Sequence, residues 1–395
     1  MRNVGTVVRG IRTPIIKEGD NLAEIVVNSV LEASKTENFV LENRDVIAIT
    51  EAVVGISFGN YATLDQIAKD LENKFQTKEI GVVFPILSRN RFAVCLQAIA
   101  RAMDKIVIQL SYPSDEVGND ILDKTLLKEY NINPYDYVIS EEEYKEKFGE
   151  FKHIFTGVNM IDFYREVAEK ENCKVEFVLS NNPLTILDYE KNILCADIHT
   201  RAETKELLNK NGANKVLGLD NIMTESVDGS GFNKKYGLLG SNRSTEEKVK
   251  LFPESSDEFV NSVQKMIQEK TGSLVEVMVY GDGAFKDPVG KIWELADPVV
   301  SPAYTKGLEG SPNELKLKYI SDNKFKELRG EELNKAIKEE IKAKEKNLVG
   351  KIETQGTTPR RYTDLIGSLC DLTSGSGDKG TPVVLVQRYF TNYAE

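Results

Sequence analysis

Histidine is almost missing from this 395-residue chain, which has only His153 and His199. So few argue against histidine-rich metal centres and against Ser-His-Asp hydrolase triads. Cysteine is scarce as well. The four residues Cys95, Cys173, Cys195 and Cys370 are widely spaced in apolar contexts without a Cys-x-x-Cys pair. They are expected as buried free thiols rather than zinc ligands or disulfides. There is no lysine-arginine block, and a formal charge of −11 speaks against a broad nucleic-acid-binding surface. Anionic small molecules would then need a local pocket or a metal. No apolar run approaches a membrane span, and the N-terminus, MRNVGTVVRG, has no secretory apolar core, so the expected location is the cytoplasm with no membrane partner. The Walker pattern Gly-x-x-x-x-Gly-Lys-Ser/Thr does not occur.

What is present belongs to a globular chain, 41% hydrophobic and 29% charged, and too long for one ordinary core. Val4–Val8 reads as a strand, followed by the corner Gly10-Ile-Arg-Thr-Pro14. Asp20 is placed to cap a helix carrying Leu22, Ile25, Val26, Val30 and Leu31 at helical spacing. Asp45–Thr50 is an apolar strand entering Glu51–Gly59, where Gly55 and Gly59 suggest a tight loop. Helices are expected over 62–75 and 92–103, and strands over 81–87 and 105–110. From about 120 to 230 the pattern alternates: strands at Phe151–Gly157, Val175–Leu179, Asn192–Ile198 and Lys215–Leu219, helices near 160–170 and 201–211. The cluster Asp197-Ile-His199-Thr-Arg201 falls where strand meets helix. It reads either as a ligand position or as a cap with a surface histidine. Ser244 with Glu247 fits a capping box. Helices follow over 257–270 and 331–347.

Two loops carry the chemistry. In Leu274–Pro302 an apolar run breaks at Gly281-Asp282-Gly283 and brings Lys286 and Asp287 close behind. Carboxylates on a strand-end loop can hold a divalent metal and a lysine can meet a phosphate, yet Asp-Gly after a strand is equally a hairpin signal. Near the C-terminus, Gly356–Asp364 leads into a helix at Leu365–Leu372. That helix breaks at Thr373-Ser-Gly-Ser-Gly-Asp-Lys-Gly380 before the buried strand Pro382–Val386. Hydroxyls, three glycines and exposed backbone donors suit phosphate contact.

These pieces, in this order, resemble the coenzyme F420-0:L-glutamate ligase family, the γ-glutamyl ligases of deazaflavin cofactor synthesis. The N-terminal resemblance lies in Gly10–Pro14, Gly19-Asp20-Asn-Leu22 and, without a gap, Asp45–Gly59. At the C-terminus it lies in Thr363-Asp364-Leu365, Gly375-Ser376 and Thr381–Val386, while Asp282, Lys286 and Pro288 resemble the family's Ser-Asp-Thr-x-Gly-Arg-Pro loop. The resemblance covers about the first 120 and the last 125 residues.

The resemblance implies an α+β fold of two mixed α+β domains; the alternating stretch between its two parts reads as an inserted α/β layer, so the chain divides as 1–120, 121–235 and 236–395. It implies a homodimeric, GTP-dependent ligase needing Mg2+ or Mn2+. A substrate carboxylate is phosphorylated and the amine of glutamate attacks the acyl phosphate. Carried onto this chain, the metal ligands would be Asp282, Asp104 and Ser376. The nucleotide would meet Arg12, Thr13, Gly55, Thr373, Ser374, Gly375, Ser376 and Gly377, and Lys286 or Arg360 would stabilise phosphate charge. The chain departs from the pattern at Gly55-Ile56, where the family has Ser-Lys, and at Ser376, where it has glutamine. An ungapped match puts Ala100 at a metal-binding aspartate, and a shift brings Asp104 there. Three readings follow: a γ-glutamyl ligase joining glutamate or another amino acid to a small carboxylate acceptor with GTP or ATP, a folate-type polyglutamylating enzyme, or a catalytically silent ligand-binding dimer of the same fold.

Overall fold

The computed structural model describes residues 3–89, 91–153, 156–254, 256–282, 299–357, 360–374 and 378–395. The fold is α+β and comprises two compact units. The first is built from residues up to 54, from 256–281 and from 299 onwards; the second holds 55–254 and Asp282. In chain order the first unit opens with β1 (Val7–Ile11), α1 (Leu22–Thr36) and β2 (Val46–Thr50), and α2 (Glu51–Ser57) leads into the second. There follow β3 (Tyr61–Thr63), α3 (Leu64–Phe75), β4 (Glu79–Val83), α4 (Phe92–Ala102), β5 (Lys105–Leu110), α5 (Lys124–Glu129), β6 (Ile139–Ser140), α6 (Glu141–Lys147), α7 (Met160–Lys170) and β7 (Lys174–Leu179). Next are β8 (Asn192–Cys195), α8 (Arg201–Lys210), β9 (Lys215–Gly218), β10 (Asn242–Arg243) and β11 (Lys248–Lys250). The first unit resumes with α9 (Ser256–Thr271), β12 (Glu276–Asp282), β13 (Val299–Tyr304), α10 (Leu317–Asn323), α11 (Gly330–Ala343), α12 (Tyr362–Ser374) and β14 (Val383–Gln387).

The first unit is a five-stranded sheet in the order β1-β14-β2-β12-β13, with β1 on an edge. β14 runs antiparallel to both β1 and β2, while β2 and β12 are parallel. Strands alternate their side chains, so one parity of each central strand (Val46, Ala48, Met278, Tyr280, Val384, Val386) packs on Ile366 and Cys370 of α12. The other parity, including Ile47, Ile49, Val277, Val279, Val383 and Leu385, is also fully buried. Both faces being covered explains why these strands read as unbroken apolar runs. Helix α1 starts one residue later than the capping expectation. Asn21 caps it by accepting from the Glu24 N–H at 3.3 Å, while Asp20 accepts from the Lys17 N–H at 2.7 Å.

In the second unit the parallel strands lie in the order β7-β5-β4-β8-β9, with the short antiparallel β6 outside β7. Counted from β4 this is third, second, first, fourth, fifth, the doubly wound order. The sheet joins strands from both sides of residue 120, so the structural division runs differently from the three segments expected from the sequence. The reason is that β4 and β5 bury themselves against β8 and β7 rather than against the N-terminal strands. A separate three-stranded sheet pairs β11 with β10 and β3.

Several local expectations change. The first strand is Val7–Ile11 rather than Val4–Val8, so Gly10 and Ile11 pair with Val384 and Val383 instead of forming a corner. Residues 151–153 and 156–157 form no strand, with the His153 N–H donating to the Val158 carbonyl. Ser244 and Glu247 cap no helix: they lie in the turn between β10 and β11, where Glu247 pairs with Arg101 at 2.8 Å. Gly55 lies inside α2, not in a loop. All four cysteines are buried free thiols. Among the described residues no helix is long and apolar enough to cross a membrane.

Candidate functional site

The first unit contains a groove of about 1090 Å³ along the edge strand β1, walled by Asn28, Ser29, Glu32 and Thr36 of α1 and by Thr373 and Lys379. Gly10 lies close against Thr381: a Cβ on it would lie 3.1 Å from that side chain. The Thr13 N–H donates to the Gly380 carbonyl at 3.3 Å, and the Thr381 hydroxyl donates to the Ser374 carbonyl at 3.3 Å. These two bonds bring the 12–14 segment that follows β1 beside the end of α12, although the two lie some 360 residues apart in sequence. Arg12, Thr13 and Thr373 are therefore assembled at one place.

Arg9 and Lys379 also line this groove; Lys379 lies in the 373–380 loop that the sequence marks for phosphate contact, whereas Arg9 is not among the residues expected there. A signal for Arg9 exists: a cation on the inward-facing parity of an apolar strand needs a partner. Its Nη1 donates to Gln387 Oε1 at 2.6 Å, and its guanidinium stacks over Phe39, 4.6 Å from the ring centroid. Gln387 in turn donates through Nε2 to Asp45 Oδ2 at 2.7 Å and to the Val40 carbonyl at 3.0 Å. Asp45, fully buried, also accepts from the Glu42 N–H at 2.8 Å and the Arg388 N–H at 3.2 Å. Burial pushes its carboxyl above the usual aspartate range, against the pull of those donors. With Arg9, Arg12 and Lys379 facing Glu32 and Glu37, the groove offers three cations against two carboxylates.

The other expected residues are distributed as follows. Thr373 and Ser374 are the last two residues of α12 rather than loop residues; the Thr373 hydroxyl donates back to the Leu369 carbonyl at 2.7 Å. Gly375, Ser376 and Gly377 lie outside the described residues, as does Lys286. Arg360 precedes the other end of α12, so the helix length, roughly 20 Å, separates it from Thr373. Asp282 is the last residue of β12. Gly281 before it is held within the strand, where a Cβ would come 1.9 Å from Glu51 Cγ. Glycine there serves close approach, not a turn. In the second unit, Gly55 is buried against the Lys250 side chain, and a Cβ on it would sit 3.3 Å from Lys250 Cδ. Ala100 is buried within α4. Asp104 is exposed at the entry of β5, the amino-terminal edge of the parallel sheet, opposite the edge where such sheets take ligands. Among the described residues no three His, Cys, Asp or Glu side chains gather as a metal-binding set.

The Asp197 cluster sits at the carboxyl end of β8. Asp197 is fully buried and accepts from the Thr204 hydroxyl at 2.7 Å and the Thr200 hydroxyl at 2.9 Å. Burial raises its pKa to about 6, and Glu116 adds to the rise. Glu116 accepts from the Ile198 N–H at 2.6 Å, and Arg201 pairs with Asp220 at 3.0 Å. The cluster's bonds run to Thr204, Glu116 and Asp220 and anchor the start of α8. The turn from β4 to α4, Phe84–Arg91, contains no glycine, so the phosphate-cradling turn of dinucleotide-binding sheets is absent.

A family model described as F420-0:Gamma-glutamyl ligase matches residues 10–388 of the chain. No curated protein matches it.

Proposed function

The chain belongs to the F420-0:gamma-glutamyl ligase family, and from that premise we propose that it is a nucleotide- and divalent-metal-dependent ligase joining glutamate to a carboxylate acceptor through an acyl phosphate. Ligase function of the γ-glutamyl type follows from the family; the nucleotide, the metal, the homodimer and the residues are our reading. The observation that supports it is one groove lined by Arg12, Thr373 and Lys379, with Thr13 tying its corner in place. Cations around one open groove suit a polyphosphate, whose charge grows on the transferring oxygens.

The chemistry balances in two steps. An acceptor carboxylate oxygen attacks the terminal phosphorus and the nucleoside diphosphate leaves. The glutamate amine then attacks the acyl carbon, loses a proton and expels phosphate. Arg12 and Lys379 hold the phosphates, and the tie between Thr13 and Gly380 keeps the corner from drifting. The described side chains do not supply a metal-ligand set, so no step is routed through the ion; Asp282, at the end of β12, is its candidate ligand.

The test is glutamate-dependent phosphate release from GTP or ATP with Mn2+ or Mg2+, over a panel of deazaflavin-precursor and folate-type acceptors. We expect release that needs glutamate and acceptor together, stops with a chelator, and is lost in Asp282→Ala. Nucleotide binding without any glutamate-dependent release would favour the silent binding dimer instead.

A further inference from the structure

We propose that Arg9 is the pre-aimed anion-binding group of the groove, and that Gln387 and Asp45 are positioning residues acting through it. The ligand class is a polyphosphate, and the proposal rests on the nucleotide-binding reading of the same groove.

A guanidinium carries five N–H donors in a planar fork. Among the described residues Arg9 makes one side-chain hydrogen bond, to Gln387, and no ion pair. Glu32 and Glu37 line the groove without pairing with it. Most of its donors therefore remain available while its position is fixed from two sides. The Phe39 ring holds the guanidinium plane, and Gln387 holds one edge.

The orientation of Gln387 is itself determined. Its amide group has Asp45 Oδ2 and the Val40 carbonyl on one side, both acceptors, so Nε2 must face them. Oε1 is thereby left toward Arg9. Flipping the amide would set N–H groups against guanidinium N–H groups and oxygen against oxygen. Asp45 cannot swing away, because the backbone N–H groups of Glu42 and Arg388 hold its two oxygens. A buried carboxylate, a buried amide and a half-buried guanidinium thus form one chain ending at the groove. A flexible arginine would lose side-chain entropy on binding an anion; this one is already ordered.

The test measures binding of inorganic tripolyphosphate, GTP, ATP and the corresponding nucleosides by titration calorimetry, in wild type, Arg9→Met, Arg9→Lys, Gln387→Leu and Arg9→Met with Gln387→Leu. Removing Arg9 should weaken tripolyphosphate and triphosphate binding roughly ten- to hundredfold and leave nucleoside binding unchanged. Arg9→Lys should recover part of the loss, since it keeps charge without the fork. Gln387→Leu should cost several-fold alone and nothing more in the Arg9→Met background, which a purely structural role for Gln387 would not produce. Arg9→Met and Arg9→Lys both binding tripolyphosphate like wild type would overturn the proposal and leave the ligase reading standing. A wild type that binds none of the polyphosphates would overturn both.

Discussion

Asp197 shows how a residue can look like a site and serve the fold. Its carboxyl is buried and kept protonated up to about pH 6, whereas an unfolded aspartate releases its proton near 3.8. The folded state therefore binds more protons between these values, and the stability this gives is full below 3.8 and lost as pH rises to about 6. We predict that Asp197→Asn, which retains an oxygen for Thr200 and Thr204, removes this loss. Urea titrations between pH 4 and 7 should show wild type falling relative to the variant by on the order of 3 kcal/mol. The sequence places Asp197 correctly at a strand–helix junction and leaves both roles open; two threonine hydroxyls donating to its Oδ2 give it a structural role. Arg12, Thr13 and Thr373 are legible because they lie in corners that resemble a family pattern. Arg9 is legible only in part: its place on an apolar strand asks for a partner, but nothing in Val-Val-Arg-Gly-Ile tells which residue, 378 positions away, will meet it.

Element boundaries are legible wherever apolar periodicity is unbroken, as in β2, β14 and α1. They fail where short-range chemistry has two outcomes. Ser244 and Glu247 carry the spacing of a helix cap, yet the Ser244 N–H donates to the Lys248 carbonyl and the Glu247 N–H to the Thr245 hydroxyl in the turn that joins β10 to β11. Thr373 and Ser374 read as loop because glycines follow, but helix α12 extends through them and uses the Thr373 hydroxyl on its own carbonyl. The end of β12 is the sharpest case. Gly281-Asp282 reads as the start of a turn, and both residues are still strand, with Glu51 packed where a Cβ would be. Gly281→Ala should overpack that contact and cost about 1–3 kcal/mol, seen as a lower urea midpoint with an unchanged slope. A variant as stable as wild type would mean that Glu51 has room to move.

At the scale of the whole molecule, composition and length foretell several α+β parts but not how they share the chain. The family-like corners of the first 120 residues suggest that an inserted region begins only after them. The doubly wound sheet instead recruits β4 and β5, a long-range pairing that no local pattern announces. The family match over residues 10–388 spans this second unit as well as the first. Above all, this protein is proposed to make a γ-glutamyl amide by way of an acyl phosphate. The most direct measurement is turnover of an acceptor whose carboxylate carries oxygen-18, with product mass and the isotope content of the released phosphate followed together. An acyl-phosphate route predicts an acceptor heavier by one glutamyl residue and one labelled oxygen in each phosphate released. Amide formed with unlabelled phosphate, or no amide from any acceptor tried, would contradict it.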